Sequence, residues 1–167
     1  MKPLLAAATA ALLIATPAIA DGKVYVQLPD LSSYTEHRAE EFLYQVVLAN
    51  VVSSNCTGFE VTEAEWSLLT DSADLLAYGQ LKLSTDDYDS IFYDQAFAAL
   101  DEANTCEVEG PGVESVLEEL VFQGGSRDPL PDQEAAYTEW RALMDRLQAD
   151  ADAAQTDAPA SGKTKTK

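Results

Sequence analysis

The sequence predicts an all-α protein: a small helical bundle of about five helices, three of them clipped by one disulfide, with a disordered C-terminal tail. Three observations predict it. Apolar residues recur at helical spacing through most of the chain, and a period of two holds only in one short stretch. Capping residues, glycines and prolines punctuate the periodic segments. The two cysteines, Cys56 and Cys106, each fall just past the end of a helical pattern.

The chain opens with "MKPLLAAATAALLIATPAIA". Lys2 supplies a positive start, Leu4 to Ala15 an apolar run, and Ala18-Ile19-Ala20 a small-x-small cleavage site. This is a signal peptide over 1–20, cleaved after Ala20, and the run is short of the roughly 20 residues that span a bilayer. The leader has a bacterial character, which predicts a periplasmic or secreted protein. A single helical domain is expected over 21–149.

Residues 21–33 read as an extended arm, because Pro29 ends the alternation of Val24, Tyr25 and Val26. Ser33 and Glu36 have capping-box spacing and open a helix over about 34–54, whose stripe is Phe42, Val46 and Ala49 beside Leu43, Val47 and Val51. Thr62 and Glu65 form a second capping box, with Val61 and Trp66 at the positions of the hydrophobic staple. That helix runs to about Tyr78, buries Trp66, Leu69, Ala73, Leu76 and Ala77, and stops at Gly79. A third helix starts at Ser84 or Thr85, places Asp86, Asp87 and Asp89 near its positive end, and runs to about Thr105. "EGPG" at 109–112 breaks the chain, and a shorter helix over 113–122 follows. "SRDPLP" is a stiff linker to a last helix over 131–149, carrying Ala136, Trp140, Leu143 and Leu147 on one face. Residues 150–167 lack periodicity and read as a disordered tail.

Short connections send the first three helices up, down and up, so Cys56 and Cys106 arrive at the same end of the bundle. In an oxidising compartment two such cysteines make one structural disulfide. A zinc site is disfavoured, since two cysteines and the single histidine, His37, fall short of four ligands.

Twenty-nine acidic residues face ten basic ones, for a net charge of −19. Such a field excludes nucleic acid and direct binding to anionic membranes. It permits three readings: a solvated surface tuned for solubility, as in a saline habitat; docking to a basic partner; and diffuse, weak binding of divalent cations. No residue pattern supplies chemistry: no catalytic, cofactor-binding or metal-ligating residue is assigned, and no cofactor is implied. His37 has no nucleophile elbow to serve and reads as an exposed helix residue. "STDDYDSIFYD" lacks the central glycine and closing glutamate of a calcium loop, so its aspartates serve the helix terminus. Tyr93 and Phe97 lie off the main stripe of the third helix. They line either a second buried face of a central helix or an exposed surface for a partner.

The segments "VVLANVVSSNC" (46–56), "ADLLAYG" (73–79) and "NTC" (104–106) resemble a group of uncharacterised small exported bacterial proteins. That resemblance implies a helical fold with one cysteine pair and no known activity. "CTGF" (56–59) is similar to a cysteine-x-x-phenylalanine element of periplasmic acid-stress chaperones, whose members unmask apolar surface when their carboxylates are protonated. This chain departs from them in carrying a whole helix before its first cysteine and few lysines. The expected function is an exported accessory or interaction protein without catalytic activity, binding a basic or envelope-associated, membrane-embedded protein. An acid-triggered periplasmic chaperone is the alternative, and a small carboxylate-dependent hydrolase the third reading.

Overall fold

The computed structural model describes residues 22–157; the expected leader and residues 158–167 of the expected tail lie outside the described residues. Among the described residues five helices follow one another. Helix α1 spans Glu36–Asn55. Helix α2 is α-helical over Glu63–Asp74 and continues as a π-helical segment over Leu75–Gln80. Helix α3 is α-helical over Thr85–Tyr88, π-helical over Asp89–Tyr93 and α-helical again over Asp94–Leu100. Helix α4 spans Thr105–Phe122 and α5 Gln133–Asp157.

The all-α bundle is as the apolar periodicity requires. Helix α1 is its axis: Val46 to Ser53 are all buried, and α2, α3 and α4 pack around them. Such a continuous buried run makes α1 a core helix, not an amphipathic surface one. Its closest partner is α4, which presents Val113, Val116, Leu117 and Leu120. The Thr62 box forms as expected: the Thr62 side chain accepts from the Glu65 N–H, and the Glu65 carboxylate accepts from the Thr62 N–H at 2.9 Å. Ser84 caps α3 through the Asp87 N–H. The arm is extended and meets the linker at one antiparallel bridge, Val26 to Pro129. Ser126 N–H donates to Gln27 O and Leu130 N–H to Tyr25 O, both at 2.9 Å.

Cys56 caps the C-terminus of α1 and Cys106 lies in the first turn of α4; their sulfurs are bonded, with Cα atoms 5.5 Å apart. The bond thus closes the α1–α4 seam at one end and encloses α2 and α3 in its loop.

Several boundaries differ from expectation, each for a physical reason. The Ser33–Glu36 box does not form. Residues 31–34 make a turn instead, with Tyr34 N–H donating to Leu31 O, and the Tyr34 ring goes inward to stack on Phe42 at 4.6 Å. "EGPG" does not break the chain: α4 begins at Thr105 and carries Pro111 within it. Gly110 is buried there under the Phe59 ring, and a Cβ at that position would lie 2.3 Å from ring atoms. Gly79 does not end α2 but lies within its π-helical segment, where Leu147 covers it. Trp66 is 37% exposed, because the buried stripe of α2 is rotated to include Ser67 and Asp71. The last helix does not stop at 149 but runs to Asp157, held by buried Ala151 and by Gln155, whose amide donates to Lys82 O at 2.7 Å.

Two outcomes follow. Replacing both cysteines by alanine is expected to cost about 4 kcal/mol of unfolding free energy, the chain-entropy value for a loop of this length, measured by urea titration. Gly110→Ala is expected to cost about 1–3 kcal/mol in the same assay, because the Phe59 ring must leave its seat.

Candidate functional site

Two places concentrate unusual residues: the outer face of α3 and a charged cluster beneath α5. On α3, Tyr88, Phe92 and Ala96 point inward and are buried. Helix α3 is therefore peripheral, and its remaining aromatics have no second layer to enter. Tyr93 is half-buried, its ring tilted on Tyr88 at 5.3 Å, and Phe97 lies 6.4 Å farther out, 52% exposed. Exposed Asp89, Asp94, Asp101 and Glu102 flank the two aromatics along the chain. The face combines an aromatic step with an acidic frame.

His37 is exposed and meets only carboxylates of its own helix, with Nε2 3.0 Å from Glu41 Oε1. Asp86, Asp87 and Asp89 lie in the first turns of α3, and Ser84 Oγ donates to Asp87 Oδ2 at 2.8 Å. Among the described residues no three acidic, histidine or cysteine side chains converge as a ligand set.

The charged cluster was not marked by any motif. Asp71 and Asp74 stand one turn apart on α2. Asp71 is 1% exposed and receives the Lys23 ammonium from the arm at 2.6 Å. Lys23 Nζ also lies 3.9 Å from the centre of the Trp140 ring of α5, a cation–π contact in a sheltered setting. One nitrogen thus joins the arm, α2 and α5. Burial pushes the Asp71 carboxyl above the ordinary range, and Lys23 recovers only part of the shift. The Trp140 indole also favours the carboxylate, although its N–H does not reach ordinary hydrogen-bond geometry. Asp71 Oδ2 is buried without a hydrogen bond. Asp74 is half-buried; burial first, then the neighbouring charge of Asp71, raise its pKa to about 7, with Lys23 opposing.

The α3 side of the cluster is phenolic. Tyr78 of α2 meets Tyr88 edge-on at 5.7 Å, and Tyr93 packs behind it. Burial raises the pKa of all three hydroxyls, and the negative charge at Asp74 adds to each shift. The two π-helical segments, Leu75–Gln80 and Asp89–Tyr93, bring these rings together. Such segments recur at functional sites because the extra residue re-aims side chains.

The sequence signal for this cluster was present but faint. Asp71 sits inside the apolar stripe of its helix, between Leu68 and Leu69 on one side and Ala73 on the other. Its partner is 48 residues away, beyond the reach of any spacing rule. No protein-family model, curated protein or solved structure matches the chain.

Lys23→Ala is expected to cost about 3 kcal/mol of stability, because it strands the Asp71 carboxylate in the interior. The double replacement Lys23→Met with Asp71→Leu is expected to recover most of that loss. Urea midpoints of Lys23→Ala and of the double variant measure it.

Proposed function

We propose that the protein is exported to a bacterial periplasm or beyond, loses its leader after Ala20, and acts there as an accessory protein without chemistry of its own. Its partner is a basic protein, free or embedded in the envelope, and the docking surface is the Tyr93–Phe97 face of α3. The observation that carries this reading is the exposure of Phe97 within an acidic frame. An aromatic side chain on a peripheral helix gains from burial against a partner. The surrounding carboxylates guide a cationic surface to it and repel anionic ones. The disulfide supports an oxidising compartment. Among the described residues no helix is long and apolar enough to cross a membrane.

The other two readings gain less. An acid-triggered chaperone needs protonation to loosen the fold. The interior carboxylates work the other way: a group whose pKa is raised in the folded state stabilises the fold when protonated and weakens it as pH rises. A carboxylate hydrolase needs two carboxyl groups with raised pKa values around a substrate cleft. Asp71 and Asp74 meet the first condition, but neither lines the surface clefts beside Tyr34, Leu48, Tyr25, Trp66 or Phe59.

The mature chain, immobilised and exposed to envelope extract, is expected to retain a basic protein at low salt and release it as the Debye length falls from about 10 Å at 0.1 M to about 3 Å at 1 M. Tyr93→Ser with Phe97→Ser is expected to weaken capture at least tenfold. Capture indifferent to both salt and the double variant would overturn the reading.

A further inference from the structure

Among the described residues no helix covers the outer seam between α1 and α4. Two clefts, of about 350 and 310 Å³, open along it and share Gln45, Ser115 and Val116, so they form one continuous groove. Its α1 wall advances in steps of three and four residues, through Arg38, Glu41, Gln45 and Leu48. Its α4 wall runs the opposite way, through Glu119, Ser115, Gly112 and Glu109. From Arg38 to Ala49 the helix rises roughly 16 Å, about three turns. Phe42, Leu48, Ala49 and Val116 are buried apolar residues and make the floor.

Gly112 shows that the groove has room for an occupant. It lies inside α4, where glycine weakens the folding equilibrium roughly two- to fivefold relative to alanine. Gly110 has its reason within the chain, the Phe59 ring. Gly112 has none: its backbone is ordinary helix, and among the described residues a Cβ there would meet nothing within 4 Å. A glycine that neither backbone nor packing requires admits the close approach of another backbone. Ala49 and Ser115, also small, line the same part of the groove.

The rim sets the charge of that occupant. Glu41, Glu109 and Glu119 face one cation, Arg38. Arg38 lies over the Tyr34 ring at 4.5 Å, and the Tyr34 hydroxyl donates to Glu119 at 2.6 Å, so these groups are held at one end. The remaining carboxylates, in a chain of net charge −19, complement a basic surface. A second copy of the chain would bring the same charge and be repelled. A strand finds no partner here, because α1 and α4 pair their backbone groups internally. A helix fits: helix axes pack about 8–10 Å apart, and small residues in the groove allow the nearer end of that range.

We propose that the α1–α4 groove receives an amphipathic helix of a partner protein, about three turns long, with small and apolar residues facing Gly112 and Val116 and lysine or arginine on both flanks. The flanking cations meet Glu41 on one wall and Glu109 and Glu119 on the other. The groove shares no residue with the α3 face and stands independently of it.

The probe is a synthetic helical peptide of roughly 14 residues, with an alanine–leucine stripe at i, i+3, i+4 and i+7 and lysines on both flanks. Its control has the same composition and charge with the stripe scrambled. Fluorescence anisotropy with the mature chain at about 0.15 M salt is expected to show the striped peptide bound about tenfold more tightly than the control. Gly112→Leu is expected to fill the groove and weaken that binding by about tenfold, with an unchanged or higher urea midpoint, since leucine favours a helix over glycine. Tyr93→Ser with Phe97→Ser is expected to bind the peptide as the wild type does, which separates this groove from the α3 reading. Equal binding of the two peptides, or full binding by Gly112→Leu, would overturn the proposal. So would a dimer of the chain that Gly112→Leu dissociates, which gives the groove to a second copy. If Gly112→Leu does not fold, amide chemical shifts of the wild-type chain decide. Changes confined to 38–49 and 109–119 support the groove, and changes centred on α3 or spread over the acidic surface end it.

Discussion

Two cations from the non-helical segments tie the bundle together. A chain with 29 acidic and 10 basic residues repels itself when compact, so the placement of each positive charge matters. Among the described residues, the ion pairs of His37 and Arg141 stay within one helix and add little. Lys23 and Arg127 do otherwise. Lys23, on the arm, reaches Asp71 of α2, and Arg127, on the linker, reaches Glu65 of α2 and Glu114 of α4. Arm and linker are joined to each other at Val26 and Pro129. The two segments therefore act as one charged clamp on α2, with α4 gripped on one side and α5 on the other. The disulfide fixes the remaining seam, between α1 and α4.

That division explains which parts of the fold could be read from the chain. Local signals survived intact where nothing distant competed with them. The Thr62–Glu65 box and the Ser84 cap formed, and the α1 stripe from Phe42 to Val51 is buried. Signals failed where a distant group overrode propensity. Pro111 and Gly110 argue for a break, yet the disulfide at Cys106 anchors the first turn of α4 and the Phe59 ring occupies the space that Gly110 leaves. The π-helical segments add a residue to a turn without changing composition, so no period-based reading detects them. Trp66, expected in the buried stripe, is partly exposed, and Asp71 is buried where the arm brings Lys23 to it.

The candidate sites divide in the same way. Tyr93 and Phe97 were visible as aromatics off the main stripe, but whether they were core or surface depended on which helix is central. Had α3 been the axis, both would be buried. Because α1 takes that place, Phe97 faces outward and Tyr93 bridges it to the interior through Tyr88. The outer face and the buried cluster are consequently not separate. Tyr93 packs on Tyr88, which meets Tyr78, and the charge on Asp74 adds to the rise that burial gives the Tyr93 hydroxyl.

The carboxylates of the surface and of the interior respond to pH in opposite senses. Glu119 is held below the ordinary range mainly by the Tyr34 hydroxyl and Gln123, and Asp30 by Ser32. Their contribution to stability is present above the unfolded pKa and lost as pH falls through the folded one. Asp74, raised by burial, contributes most in acid and loses that contribution as pH climbs towards about 7. Neutralising the surface in acid also relieves the repulsion among 29 acidic side chains. Mild acid therefore tightens the interior first, and the exterior loses its charge only at lower pH. Above neutrality the contribution of Asp74 is spent, while the exposed carboxylates keep theirs and the molecule carries its full negative field.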